Sequence, residues 1–247
     1  AFLAGPTVGN SSSATSVQSI EFNGVNFGIF ATDGTGIRYT QLAQDLTPVG
    51  AGATFATGMR EFWTTLNTST ASPRYGVIYR TPNDNLEFVN VTFDGTVSSP
   101  QQVTGAGATQ DRSPSVHYVG GATGTDYLLN GVVTPYAGLY TSSAAATSHC
   151  FRLTATGALA PSGDQPLVVL QPDLYSSVWT GNRIAAARAN TTDGLFLEYF
   201  DLFSNQPCGL SRQQILLGLD QYVNPPAIAF NGVEYAIAYD VRRIIDP

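Results

Sequence analysis

Acidic side chains are the first residues in this chain whose type and placement could support catalysis. Glu21 and Glu61 lie in segments with strand-like alternation, and Asp111, Asp173 and Asp220 come just before such segments. Two carboxylates held about 5–10 Å apart can hydrolyse a glycosidic bond, one as acid and the other as base or nucleophile. The simpler interpretation, which we favour, is that these residues are solvated acids in loops and turns.

Histidine chemistry is limited by the number of histidines. The chain contains His117 and His149 alone, and no Gly-x-Ser-x-Gly sequence lies near either of them. We expect His117 to be a packed or channel-lining residue on a strand and His149 to lie at the surface. A nucleophilic triad is therefore not expected.

Metal and cofactor sites find little support in the sequence. Asn83-Asp84-Asn85, Asp33-Gly34 and Asp193-Gly194 offer oxygen ligands that calcium favours, but such pairs form turns for backbone reasons alone. The sequence therefore predicts no metal and no cofactor. Cys150 and Cys208 match no zinc spacing, and either one disulfide or two buried thiols is consistent with them.

Ligand recognition is better supported, in loops that lead into predicted strands. Sugar binding needs polar groups that fix the ligand and an aromatic side chain against which the ring can pack. Several of these loops place an acid or amide close to an aromatic or cationic side chain. The predicted ligand-binding residues are Asp111, Arg112, Asp173, Tyr175, Asp220, Gln221 and Tyr222.

The elements that must position these residues are predicted to be strands. Apolar residues mostly alternate, and glycine and Asx residues interrupt the pattern at short intervals. Residues 20–30 closely match residues 228–238, and each segment has Asn-Gly between two apolar runs. This pattern predicts a tight hairpin turn, because both residues tolerate a positive φ. Residues 211–216 fit either a helical turn or an outer strand.

The hairpin pattern recurs about every 50 residues, which is the spacing of propeller blades. The predicted second strands of the copies begin at Phe27, Tyr75, Tyr127, Ile184 and Tyr235. The approximate repeats are 17–56, 57–108, 113–170, 176–220 and 225–247. We therefore predict an all-β, single-domain, five-bladed β-propeller over 1–247, with four-stranded blades and with residues 1–12 completing the last blade. A six-bladed ring or a fragment of a longer array is the alternative.

Two segments are longer than the repeat requires. They run from Thr64 to Pro73 and from Val132 to Ser148, and the second contains Tyr136 and Tyr140. We predict both as long loops, a feature that is often functional.

Residues 226–239, Pro-Ala-Ile-Ala-Phe-Asn-Gly-Val-Glu-Tyr-Ala-Ile-Ala-Tyr, carry a family resemblance. They resemble repeats of secreted proteins from myxobacteria and related bacteria. The five-fold architecture is similar to that of the tachylectin type of five-bladed lectin. None of the repeat motifs of that lectin occurs here, so none of its binding residues is transferred to this chain.

Charge and composition exclude several partners. All eleven positive charges are arginine, the net charge is −7 and the pI is about 4.6. An acidic surface repels nucleic acid and anionic membranes, and no apolar stretch approaches the ~20 residues of a membrane span. The start at Ala1 fits either a removed leader or a shortened chain, and the sequons at Asn10, Asn67, Asn90 and Asn190 add weak support for a secreted or cell-surface protein.

Three functional hypotheses follow from these patterns. The first is a non-catalytic extracellular binding module with several weak carbohydrate sites that act together by avidity. The second is a carbohydrate-active hydrolase in which Glu21, Glu61 or Asp111 converge on one pocket. The third is a structural or adhesion protein that recognises protein. The expected partners are glycans or cell-surface and matrix components, and the sequence does not set the oligomeric state.

Overall fold

A computed structural model describes most of the chain. The described residues are 16–32, 35–59, 61–69, 72–104, 111–120, 128–142, 147–167, 174–190, 194–202, 208–217, 221–222, 226–239 and 241–242. Their regular elements are all β-strands, which confirms the all-β prediction. Across these ranges no helix has the length and apolar character needed to cross a membrane.

The first half of the chain forms two antiparallel sheets in sequence order. The strands of the first sheet are β1 (Ser16–Phe22), β2 (Phe27–Thr32), β3 (Ile37–Leu42) and β4 (Pro48–Phe55). The strands of the second are β5 (Glu61–Asn67), β6 (Arg74–Arg80), β7 (Leu86–Val91) and β8 (Gln101–Gln102).

The third sheet contains an inserted hairpin after its first strand. The strands in chain order are β9 (Asp111–Tyr118), β10 (Leu128–Leu129), β11 (Val132–Val133), β12 (Tyr136–Ser142), β13 (Thr147–Leu153) and β14 (Leu159–Leu167). The sheet has the order β9-β12-β13-β14, while β10 pairs with β11 alone.

The last part of the chain forms one further four-stranded sheet and two short pairs. The sheet contains β15 (Leu174–Trp179), β16 (Arg183–Asn190), β17 (Gly194–Asp201) and β18 (Gly209–Leu217). The remaining strands are β19 (Gln221–Tyr222), β20 (Ala227–Phe230), β21 (Tyr235–Ala238) and β22 (Val241–Arg242), of which β20 pairs with β21 and β19 with β22. Residues 211–216, which fitted two interpretations, lie in the outer strand β18.

Consecutive sheets pack on one another through apolar clusters. Side chains alternate along each strand, so Val77 and Ile78 of β6 face opposite sides of their sheet. Val77 belongs to a cluster with Phe30 of the first sheet, whereas Ile78 belongs to a cluster with Phe151 of the third. Similar clusters join the third sheet to the fourth and the fourth to β21. The core is therefore a series of layers between neighbouring sheets.

The same contact, an aromatic ring packed against a glycine of the preceding sheet, occurs twice in these layers. The Tyr75 ring lies where a Cβ on Gly28 would be, at 2.5 Å, and the Tyr136 ring approaches within 3.0 Å of the equivalent position at Gly76. Both tyrosines are fully buried. Each tyrosine therefore packs against the second strand of the preceding sheet at a glycine, where that strand has no side chain.

The prediction that the third copy begins its second strand at Tyr127 is wrong. Tyr127 lies outside the described residues, and the second strand is β12, which begins at Tyr136 opposite Tyr118. Because the β10–β11 hairpin is inserted before it, the second strand of this sheet starts later in the sequence than predicted. Tyr136 and Tyr140 are therefore buried strand residues rather than loop residues. Similarly, Thr64 lies within β5, so that the loop after it is shorter than predicted.

The Asn-Gly sequences form the predicted hairpin turns, and each turn lies in a four-residue loop. Phe22 pairs with Phe27, so residues 23–26 form a four-residue loop. Gly24 has φ of +93°, and the Asn23 side chain accepts hydrogen bonds from two backbone N–H groups of the loop, those of Val25 (3.0 Å) and Asn26 (2.8 Å). Residues 231–234 repeat this arrangement. The asparagine therefore caps the loop instead of adopting a positive φ.

A disulfide joins the third and fourth sheets. It links Cys150 of β13 to Cys208 beside β18, with the two Cα atoms 6.3 Å apart. Both residues are buried in the apolar cluster between these sheets. The closing role predicted for residues 1–12 lies outside the described residues.

Candidate functional site

The first strands of successive sheets are connected by polar contacts. Each contact uses at least one serine or threonine hydroxyl, so a hydroxyl group lies at every one of these junctions. The contacts are Ser19 with Thr64, the Tyr118 N–H to Thr65 Oγ1 at 2.8 Å, His117 with Ser177 at 2.9 Å, and Ser176 with the Pro226 carbonyl. These contacts, which we call the polar line, place β1, β5, β9, β15 and β20 next to one another in chain order.

A cavity of about 180 Å³ opens between the first two of these strands. It is lined by Ser19 and Glu21 of β1 and by Phe62, Trp63 and Thr64 of β5. Ser19 and Glu21 are two residues apart and share one face of their strand, as do Phe62 and Thr64 on theirs. The register of two neighbouring sheets therefore combines one carboxyl, two hydroxyls and Phe62. Trp63 borders the cavity from the alternate face of β5, where its ring contacts His117.

Glu21 is held by the two hydroxyl groups of this cavity. Thr64 donates to Oε1 at 3.0 Å, and Ser19, whose Oγ lies 3.4 Å from the same oxygen, shares its single proton between that oxygen and the Thr64 hydroxyl. Burial raises the pKa of the Glu21 carboxyl, and the two hydroxyl hydrogen bonds oppose that shift. Among the described residues no group donates to Oε2. One carboxyl oxygen is therefore fixed and the other remains open to a ligand.

Glu61 does not join Glu21 in this cavity. Glu61 lies three positions before Thr64 on β5, which corresponds to about 10 Å and to the opposite face of the strand. The Glu61 carboxylate instead lies 3.4 Å from Arg80, whose guanidinium also binds Asp84 at 2.7 Å. Within the described part of the chain, Glu21 is the one carboxylate that lines the cavity. Asp84, a possible calcium ligand by sequence, is thus engaged by an arginine.

His117 lies two strands further along the polar line and is buried. Its Nε2 is 2.9 Å from the Ser177 hydroxyl, and its ring makes an edge contact with Trp63 at a centroid distance of 6.2 Å. Burial lowers the pKa of His117 to about 4. The imidazole is therefore neutral at physiological pH and connects the β5 strand to β15.

His117 should make the protein less stable in weak acid. Between its unfolded pKa of about 6.5 and its folded pKa of about 4, the unfolded chain binds a proton that the folded chain does not. The contribution of His117 to the free energy of unfolding is complete above pH 6.5, and it falls by about 3 kcal/mol as the pH drops to 4. Urea unfolding of wild type and His117→Gln at pH 7 and pH 4.5 measures this contribution. Equal pH dependence in the two proteins would contradict it.

Tyr175 is the predicted ligand-binding residue whose side chain the structure describes. It lines a small cavity of about 10 Å³ with Arg188 and Glu198, between the third and fourth sheets. Burial raises the pKa of its hydroxyl. This space is of the order of a single water molecule, so a sugar ring would need the cavity to open.

The other predicted ligand-binding residues are placed less completely. Asp111 and Arg112 lie at the start of β9, opposite Ser142 and Thr141, and Gln221 and Tyr222 form β19. The side chains of these four are not described, and Asp173 and Asp220 lie outside the described residues altogether. Their role in binding therefore stays a prediction.

A hydroxyl, an imidazole and a carboxylate form a chain on the third sheet that sequence reasoning missed. Thr147 Oγ1 lies 3.1 Å from His149 Nε2, and His149 Nδ1 lies 3.0 Å from Asp164 Oδ1. Tyr140 stacks on the imidazole at 4.6 Å and donates to Asp164 at 3.0 Å. This order of groups resembles a nucleophilic triad. None of the described cavities is lined by both His149 and Asp164.

Metal binding has no cluster to support it in the described ranges, since no three His, Cys, Asp or Glu side chains converge there. No protein-family model matches the chain, and no curated protein matches it.

Solved structures give a likeness of fold. A functionally unknown protein from Desulfotomaculum acetoxidans DSM 771 is 14% identical over 92% of this chain and 63% of its own, with a TM-score of 0.53. Kluyveromyces lactis Hsv2 is 12% identical over 91% of this chain and 65% of its own, with a TM-score of 0.51. The chain thus spans less than two thirds of either structure. The likeness extends to an all-β fold with repeated strands.

Proposed function

We propose that the chain is a five-bladed β-propeller whose last blade is completed by residues 1–12. Four observations of packing support this architecture. Four-stranded sheets follow one another, apolar clusters join each sheet to the next, aromatic residues seat on glycines between sheets, and polar contacts connect successive first strands. A radial array of blades has this pattern of contacts.

We infer further that the protein is a non-catalytic binding module for carbohydrate, with the β1–β5 cavity as one of its sites. The observation that carries this proposal is the Glu21 carboxyl held by Ser19 and Thr64 beside Phe62 and Trp63. A carboxyl oxygen and two hydroxyls can exchange hydrogen bonds with sugar hydroxyls, while Phe62 gives an apolar wall. The cavity of about 180 Å³ is smaller than most ligand sites, so it would take no more than one sugar ring.

Binding is favoured over hydrolysis because the described residues bring no second carboxylate into the cavity. Glycosidases of both stereochemical classes need two, within about 5–10 Å of each other. Glu61 is paired with Arg80 on the other face of β5. A lone carboxyl that is fixed by hydroxyls can orient a sugar without cleaving it.

A secreted or cell-surface location and a likeness to tachylectin-type lectins are part of this proposal. The Cys150–Cys208 disulfide supports the location, since such bonds persist in oxidising compartments. Several blades with similar weak sites would bind a multivalent glycan by avidity.

The experiment is a glycan-array screen of wild type and Glu21→Gln, repeated with calcium and with chelator. We expect saturable binding of wild type to a defined sugar, with affinity at least tenfold lower in Glu21→Gln. The reason is that a hydrogen bond from a sugar to a charged or polarised carboxyl contributes about 1.5–3 kcal/mol. Titration calorimetry with the selected sugar gives the ratio of affinities.

Glu234→Gln is the matched control, because Glu234 is an exposed residue of the 231–234 loop and lies outside the cavity. It removes the same charge and should leave binding unchanged. An array without signal under both conditions would refute the carbohydrate module. Equal losses in the two variants would show that net charge, and not the cavity, determines binding.

A further inference from the structure

A second and larger cleft lies on the side of the molecule, between the second sheet and the β13–β14 turn of the third. Its volume is about 430 Å³, which is within the usual size range of small-ligand sites. Its walls are mostly carbon atoms of residues that carry neutral hydroxyl or amide groups, among them Ser98, Gln101 and Thr156. Arg74 is the charged side chain among the lining residues.

The base of this cleft is a buried network around the Tyr136 hydroxyl. Tyr136 donates to Asn90 Oδ1 at 2.9 Å and accepts from Asn67 Nδ2 at 3.0 Å. Asn90 Nδ2 also donates to the Ala155 carbonyl at 3.3 Å, which ties the third-sheet turn to the second sheet. Asn67 and Asn90 both belong to sequons, but their amides are buried in this network. The cleft therefore has a rigid base that spans two sheets.

Arg74 is held in place by neutral groups. Its Nη2 donates to the Ala155 carbonyl at 2.9 Å, its Nε to the Tyr136 hydroxyl at 3.4 Å and its Nη1 to Ser72 Oγ at 3.4 Å. By contrast, Arg80 and Arg188 are paired with carboxylates. In the part of the chain that the structure describes, Arg74 forms no ion pair. A guanidinium has five N–H donors, so two of them remain for a ligand.

We propose that this cleft binds a sugar that carries one carboxylate, such as a uronic acid. The fixed guanidinium would pair with the carboxylate through charge-assisted hydrogen bonds, and the hydroxyl and amide walls would receive the sugar hydroxyls. A single negative charge fits best, because the net charge of −7 disfavours ligands with many negative charges. The site adds to the proposed function and does not depend on the Glu21 cavity.

The test is titration of D-glucuronate and D-galacturonate, with D-glucose, acetate and phosphate for comparison. The proteins are wild type, Glu21→Gln, Arg74→Gln and Gln101→Glu. We expect wild type and Glu21→Gln to bind one of the uronates equally. Arg74→Gln should bind it at least tenfold more weakly, and 0.5 M salt should weaken binding to wild type, because the charged hydrogen bonds are lost or screened.

Gln101→Glu keeps the proposal testable if Arg74→Gln does not fold. Among the described residues the Gln101 amide bonds the local carbonyls of Ser99 and Pro100 and no member of the Tyr136 network, so the change leaves that network intact. The new carboxylate would repel the ligand and pair with Arg74, and affinity should fall at least tenfold. Gln102→Glu is the matched control, since the neighbouring Gln102 is exposed and does not line the cleft, and its effect should be below twofold.

Each other outcome overturns the site. Absence of uronate binding would do so, and it would leave neutral-sugar binding in the Glu21 cavity as a separate question. Acetate or phosphate binding as tight as the uronate would show a simple anion site. If Glu21→Gln loses uronate binding while Gln101→Glu keeps it, the acidic sugar binds in the Glu21 cavity instead.

Discussion

Replacing Glu198 by glutamine is expected to lower the free energy of unfolding by about 3–5 kcal/mol. Glu198 Oε1 lies 2.9 Å from Arg188 Nη2, and the two side chains are 6% and 5% exposed. Loss of the carboxylate charge leaves the Arg188 charge buried without this partner. The cost of such a buried charge is larger than the net gain from an intact pair. Urea unfolding at pH 7 measures the change.

Arg212→Gln is the control within the same cluster. Arg212 Nε lies 2.8 Å from the same carboxylate oxygen, but its side chain is 27% exposed and also lies over the Phe196 ring at 4.2 Å. Solvent screens this contact, so we expect a loss of about 1–2 kcal/mol. A Glu198→Gln cost no greater than that of Arg212→Gln would contradict the buried-charge explanation.

Removal of the disulfide should lower the free energy of unfolding by about 2–4 kcal/mol. Cys150 and Cys208 are separated by 58 residues, so the bond closes a long loop in the unfolded chain and restricts its conformations. The double variant Cys150→Ser/Cys208→Ser leaves no lone thiol to exchange. Its denaturant midpoint should fall relative to wild type.

Reduction of wild type provides an independent check on the disulfide. Dithiothreitol should move the wild-type midpoint toward that of the double variant and should leave the double variant unchanged. An equal effect of the reductant on both proteins would mean that the stability difference comes from the serine hydroxyls in the apolar cluster, not from the bond.

Local patterns in the sequence predicted most of the strands. Alternation of apolar residues and the Asn-Gly loops located β1, β2, β20 and β21, because strand period and loop capping depend on neighbouring residues alone. The third copy was placed wrongly for the same reason. Tyr127 and Tyr136 both begin apolar runs, and only pairing with Tyr118 distinguishes the true strand.

The candidate sites depend on contacts that local patterns do not contain. Glu21 meets Thr64 across two sheets, and its acidity and its place on a predicted strand made it a hydrolase candidate rather than a binding one. His149 meets Asp164 through the β13–β14 pairing. Arg74 had no sequence signal, since its neutral partners Tyr136 and Ala155 come from another sheet. The spacing of the repeats therefore predicts the scaffold but not its pockets.

The most direct test of the central claim is a fluorescence titration that uses Trp63 as the reporter. The chain has two tryptophans. Trp63 borders the Glu21 cavity next to Thr64, with its ring against His117, and Trp179 packs between the third and fourth sheets. In the Trp179→Phe variant, the array-selected sugar should change the emission in a saturable manner. The same titration in Trp179→Phe/Glu21→Gln should need at least tenfold more sugar. A sugar that binds by calorimetry without changing Trp63 emission, and with equal affinity in both variants, would contradict the assignment of the β1–β5 cavity as its site.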